Sequence, residues 1–134
     1  VLVAKPDLVL SQLSIDEPTV FALMTHNYNY DMAMLRQLVN TSISYIGVLG
    51  PRKKMERMMN ELKEQGVILT KDQLCKIYSP VGLNIGAETA EEIALSILSE
   101  IKAVLSQKQG GPLRNELTPI HQRERQEIKE VNIK

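Results

Sequence analysis

The chain has 134 residues, 43% hydrophobic and 24% charged, with 16 basic side chains balanced by 16 acidic ones. That length suits one domain with a real core, and zero net charge supplies no general field to recruit nucleic acid or an anionic membrane. A single cysteine, Cys75, rules out an intramolecular disulfide framework, and no apolar run approaches the length that spans a bilayer.

The chain begins Val1-Leu2 rather than with methionine, so a trimmed terminus or a piece of a longer protein is expected. Val1 to Val3 reads as the end of a strand. Pro6-Asp7 opens one or two helical turns carrying Leu8, Val9, Leu10 and Leu13, and Asp16-Glu17-Pro18 is a turn. Thr19 to Thr25 is a continuous apolar run with almost no alternation, the pattern of a strand covered on both faces in a parallel sheet. A polar and aromatic loop, His26 to Tyr30, follows at once. Asp31 is placed to cap the next helix, whose apolar positions Met32, Leu35, Leu38 and Val39 recur at helical spacing.

Asn40-Thr41-Ser42 stops that helix. Ile43 to Leu49 reads as a second buried strand, interrupted by Gly47 and ended by Gly50-Pro51. Pro51 suits the first position of a helix, which then opens with Arg52, Lys53 and Lys54. A helix N-terminus favours anions, so these cations either fan into water or surround something negative such as a phosphate. Met55, Met58, Met59 and Leu62 form one apolar side, and Gly66 is placed as the residue that ends the helix.

Thr70 with Gln73 spells a capping box for a short helix carrying Leu74, and Ile77-Tyr78 reads as a short strand. Pro80 to Gly86 is a loop with glycines at 82 and 86. Thr89 with Glu92 is a second capping box. It opens the strongest helix of the chain, 89–105, with Ile93, Ile97, Ile101 and Leu105 at i+4 spacing flanked by Ala94, Leu98 and Val104. Gln107 to Pro112 breaks the pattern. Residues 106–134 read as a linker and charged tail, with a marginal solvated helix around 119–131.

Strands alternating with helices predict an α/β domain with a mostly parallel sheet. Ligands of such sheets bind beyond the carboxyl ends of the strands, which groups Thr25-His26 with Gly47 to Lys54. His26 could orient a ligand or shuttle a proton there, or simply bond to backbone. It has no second histidine or cysteine nearby, so zinc is not expected. Cys75 lacks a basic surrounding that would activate it, so a structural role is expected. Gly82 and Gly86 resemble a phosphate cradle, but Glu88, Glu91 and Glu92 follow them, and a turn-shaping role is the simpler reading.

Four motifs in this order carry a resemblance. Thr25-His26 is followed by Asp31 and Leu35, then by Tyr45 to Gly50 with basic residues after it, then by Pro80 to Ala87, then by Glu91 to Glu100. Over roughly residues 1–105 the chain resembles the C-terminal Rossmann-like domain of the XdhC/CoxI family, with 106–134 outside the resemblance. The resemblance implies a partial Rossmann-like three-layer α/β domain. It implies a cytoplasmic accessory or maturation protein for molybdenum hydroxylases such as xanthine dehydrogenase, more a cofactor carrier than a catalyst. The cofactor implied is molybdenum cofactor, a pterin bearing a phosphate or nucleotide, and the partner is the target hydroxylase. NAD(P) binding as in an oxidoreductase, and a non-catalytic interaction domain, are the alternatives.

Carried over residue by residue, the implied cofactor-binding set is Thr25, His26 and Asp31, then Gly47, Gly50, Arg52 and Lys53, then Gly82 and Gly86. This sequence also departs from the family pattern. Asn27 stands where an aspartate usually follows the Thr-His pair, and Pro51 replaces a serine before the basic pair. The family's first strand, its glycine-rich turn and its N-terminal domain have no counterpart here. A fragment is therefore expected, or a chain whose fold is completed by a missing N-terminal portion or a second copy.

Overall fold

The computed structural model describes residues 1–120 of the chain. Pro6–Val9 forms a first helix, α1, that tightens into a 3-10 turn over Leu10–Gln12. Then come β1 (Phe21–Leu23), α2 (Tyr28–Leu38), β2 (Ile46–Val48), α3 (Arg52–Glu64), α4 (Lys71–Cys75), β3 (Ile77–Tyr78) and α5 (Ala90–Leu105). The three strands form one parallel sheet in the order β1-β2-β3. Phe21 lies opposite Ile46 and Leu23 opposite Val48, while Ile46 lies opposite Ile77 on the other side. This is a partial Rossmann-like α/β domain.

Alternation along β2 divides the two faces. Ile46 and Val48 point into a cluster with Leu23, Met32, Leu35, Leu38, Met58 and Leu62, so α2 and α3 cover that face. Each fully buried Leu or Ile of this kind contributes roughly 1.5–3 kcal/mol by leaving water. Tyr45 points the opposite way, where its hydroxyl donates to Glu100 of α5 at 2.8 Å. Gly47, also on that side, sits so close to its neighbours that an added Cβ would lie 2.6 Å from Val81. Its lack of a side chain is a packing requirement beneath the loop after β3.

Three helix ends follow their sequence signals. Both capping boxes form, Thr70 with Gln73 and Thr89 with Glu92. Past α3, Gly66 takes φ +77, its N–H bonds to Lys63 O, and Val67 N–H bonds to Leu62 O at 2.8 Å. That double closure is how a helix ends on a left-handed glycine.

Several expectations need correction. Val1 to Val3 is exposed chain and not a strand. The expected strand over Thr19 to Thr25 is only three residues long, and Ala22 on it is exposed; among the described residues β1 has a sheet neighbour on one side only. Pro51 is the residue before α3 and not its first position. On α5, Ser96, Ile97 and Ala103 are buried while Leu95, Leu98 and Leu105 face outward. Residues 119 and 120 are not helical, and the rest of the helix expected around 119–131 lies outside the described residues.

Candidate functional site

The backbone leaves β1 at the carboxyl edge of the sheet through Met24 and Thr25 and turns sharply at His26, which takes φ +56. A left-handed conformation is uncommon for a residue with a side chain, though histidine is among the types that adopt it more readily. The reversal lets Asn27 cap α2, its side-chain oxygen accepting the Tyr30 N–H at 3.0 Å. Asn27, and not Asp31, is therefore the cap. Asp31 sits one turn inside α2 with its side chain wholly buried.

A buried carboxylate needs partners, and Asp31 has two. The Thr25 hydroxyl donates to Oδ1 at 2.7 Å, and Lys54 Nζ donates to Oδ2 at 2.8 Å. Thr25 also accepts the Asn27 N–H at 3.2 Å, which ties the His26 turn to the same carboxylate. Lys54 comes from the first turn of α3 and makes a second bond to Leu49 O at 3.0 Å. Gly50 makes this reach feasible. It takes φ +135, and a Cβ on it would stand 2.8 Å from Lys54 Cδ. The loop after β1 and the turn after β2 are thus joined by one ion pair.

Beside this pair lies a cavity of about 290 Å³ lined by Met24, His26, Tyr28, Leu49, Gly50, Pro51 and Lys54. Among the described residues the buried Tyr28 hydroxyl has no partner at full hydrogen-bond geometry. Arg57 lies 4.2 Å from the Tyr28 ring centroid. Burial first, and then the Glu61 carboxylate, push the Tyr28 pKa upward, so it remains a neutral phenol.

Beyond the start of α3, Arg52 borders a second cavity of about 480 Å³ with Val81, Gly82, Ile85, Gly86 and Ile93. The loop there is fastened to α5. Glu100 Oε1 accepts both the Gly82 N–H at 3.0 Å and the Tyr45 hydroxyl, and the Ser96 hydroxyl donates to Leu83 O at 2.7 Å. Gly82 takes φ +107 directly against Ser96, so it shapes the loop. Tyr45 stacks on Tyr78 at a centroid distance of 4.6 Å. Burial, followed by its bond to Glu100, pushes the Tyr45 pKa far above the ordinary tyrosine value.

The expected site residues therefore separate. His26 and Gly50 line the first cavity, Thr25 and Asp31 do not line it but hold its Lys54 from behind, and Arg52, Gly82 and Gly86 border the second. Gly47 lies within the sheet, and Lys53 is exposed and borders neither cavity. Lys54, absent from the expected set, is the basic residue that enters the first cavity. Its signal was present in the sequence: Lys54, Met58 and Leu62 lie at i, i+4 and i+8, on the inward face of α3. Among the described residues no group of three or more His, Cys, Asp or Glu side chains is placed to hold a metal ion. No helix of the described residues is long and apolar enough to cross a membrane.

Comparison with known proteins places this geometry. The XdhC Rossmann domain family matches residues 3–101. The chain is 38% identical over 94 residues to the uncharacterized protein YqeB of Escherichia coli K12, covering 70% of this chain and 17% of that protein. It is 33% identical over 100 residues to a probable xanthine dehydrogenase subunit of Bacillus subtilis 168, covering 75% of this chain and 28% of the relative. The molybdenum cofactor insertion chaperone PaoD of Escherichia coli K12 is 29% identical over 90 residues, 67% of this chain and 28% of the chaperone. Among solved structures, a xanthine dehydrogenase from Bacillus halodurans superposes with a TM-score of 0.65 at 29% identity, over 79% of this chain and 30% of that one. The chain thus spans less than a third of the length of each of these proteins.

Proposed function

The chain belongs to the XdhC family through its Rossmann domain, and from that premise we propose that it serves the maturation of molybdenum hydroxylases by binding molybdenum cofactor for delivery to the target enzyme. The observation that carries this reading is the Asp31–Lys54 pair. It brings two strand-end segments together around a cavity at the carboxyl edge of a parallel sheet, where such sheets receive ligands. Two relatives support the choice of chemistry by their names, one a molybdenum cofactor insertion chaperone and the other a probable part of a xanthine dehydrogenase.

The donors present suit that cofactor. Lys54 and His26 offer polar contacts to a pterin, and Arg52 borders the adjoining cavity without an acidic partner among the described residues. The cofactor brings its own dithiolene to hold molybdenum, so the chain is required only to bind and shield it. Handing it to a cytoplasmic hydroxylase is the proposed role, as a carrier and not a catalyst. A dinucleotide reading has less support, because β1 runs into Met24-Thr25-His26 and β2 into Leu49-Gly50-Pro51, neither of them a glycine-rich phosphate turn.

Titration of the chain with molybdopterin, followed by fluorescence, tests the proposal. Saturable binding at micromolar concentration, weakened by Arg52→Ala, is expected. A flat titration with the folded chain would refute it.

A further inference from the structure

Resting on the reading above for the identity of the ligand, we infer that the cavity between the ends of β1 and β2 takes the uncharged ring system of the cofactor, a flat heterocycle presenting a carbonyl oxygen to Lys54, and does not take its phosphate.

Charge is the first argument. Among the described residues Lys54 is the one Lys or Arg on the cavity wall, and Asp31 Oδ2 stands 2.8 Å from its ammonium nitrogen. The pair is neutral as a unit. Asp31 cannot swing aside to free the cation, because it is fully buried and held by Thr25 on its other oxygen. A phosphate approaching Lys54 would meet a carboxylate directly behind it.

Hydrogen-bonding capacity is the second. An ammonium has three N–H donors. Among the described residues two of them are committed, to Asp31 and to the Leu49 carbonyl. The third is left for a group in the cavity, and a neutral carbonyl oxygen satisfies it without adding charge. Tyr28 lies on the same wall, with its hydroxyl beside the Glu61 carboxylate.

Shape is the third. Met24, Leu49 and Pro51 contribute apolar surface, and Tyr28 and His26 contribute rings. Thioether and aromatic groups pack well against a planar π-system. The volume of about 290 Å³ stands at the small end of the range for ligand pockets, roughly 300–1,000 Å³. One fused ring system fits this volume, and an attached nucleotide would lie outside it.

The test uses three ligands on the full chain, unphosphorylated pterin read by its own fluorescence, inorganic pyrophosphate as competitor, and molybdopterin. Pterin should bind, pyrophosphate should not displace it, and Lys54→Met should weaken it roughly tenfold or more, the scale of a hydrogen bond to a charged donor. Since Lys54→Met leaves Asp31 without its cation, the double variant Asp31→Asn/Lys54→Met is titrated in parallel, with circular dichroism confirming that it is folded, and should show the same loss. Wild-type pterin affinity in the folded double variant, or competitive displacement of pterin by pyrophosphate, overturns the inference. Molybdopterin binding that is unchanged by the double substitution overturns the inference alone, whereas molybdopterin failing to bind the unaltered chain removes the functional reading as well.

Discussion

Replacing Lys54 by methionine should be among the most damaging single changes at the site, and the structure sets the scale. Methionine keeps the length of the stem and removes the charge. Asp31 then retains only the Thr25 hydroxyl, in a position where its side chain has no exposure to water. Breaking a buried pair by removing one partner costs roughly 3–5 kcal/mol. The Lys54 side chain is itself 19% exposed, so water can enter the vacated space and the lower end, about 3 kcal/mol, is expected. For a urea slope of about 1.5 kcal/mol/M that lowers the unfolding midpoint by about 2 M with the slope unchanged. The double variant Asp31→Asn/Lys54→Met leaves no uncompensated charge and keeps the Thr25 contact. It should lose only about half as much as the single variant. Urea unfolding followed by circular dichroism measures four proteins, the unaltered chain, Lys54→Met, Asp31→Asn and the double variant. A loss below about 1 kcal/mol for Lys54→Met, with the two substitutions simply additive, would refute the argument that this pair organises the edge.

Two further outcomes follow from the loop after β3 and from the tyrosines. Gly82→Ala should lower the melting temperature by about 8 °C or more, because it combines φ +107 with a collision against Ser96, whereas Gly86→Ala, at φ +72 in open space, should cost under about 4 °C; equal losses would show that the Ser96 contact does not constrain the loop. Folding raises the pKa of Tyr28, Tyr45 and Tyr78 above their ordinary value. Above about pH 10 the unfolded chain therefore gives up protons that the native chain retains, so stability is intact below that pH and falls as pH rises beyond it. Tyr45→Phe should flatten this alkaline decline while lowering stability at neutral pH by about 1 kcal/mol, and an unchanged alkaline limb would remove Tyr45 as its cause.

Much of this organisation was legible in the sequence where the signal is local. Thr70 with Gln73 and Thr89 with Glu92 mark helix starts by spacing alone, and both form as spelled. The joining of the Thr25-His26 loop to the Gly50 turn also followed from parallel topology, since both leave strands at the same edge. What escaped depends on rotation about helix axes. Arg52, Lys53 and Lys54 look equivalent as a run, yet successive helical residues point about 100° apart. Only Lys54 shares the stripe of Met58 and Leu62, while Arg52 points toward the loop after β3. Asp31 misled in the same way. Read as a cap, it shares the buried side of α2 with Leu35 and Leu38, so two opposite charges on two inward stripes were already indicating each other. The true cap, Asn27, was obscured by the sharp turn at His26, which only the folded backbone reveals. Strand length escaped for another reason: β1 pairs with β2 only from Phe21 to Leu23, and no composition records where pairing stops.

Among the described residues the sheet presents very little backbone at either side, three residues of β1 and two of β3. With a formal charge of zero at neutral pH, the molecule has no electrostatic repulsion to hold copies of itself apart. Brevity takes over that task. A stray unfolded segment laid along β1 would gain two or three hydrogen bonds, each worth about 0.5–1.5 kcal/mol net. It would lose about 1–2 kcal/mol of backbone freedom for every residue it ordered. That exchange is unfavourable, so stacking into fibrils does not begin at this margin. A neighbour whose strand is already rigid escapes the ordering loss and can also cover Ala22. The margin is thus closed to loose chain and open to folded structure.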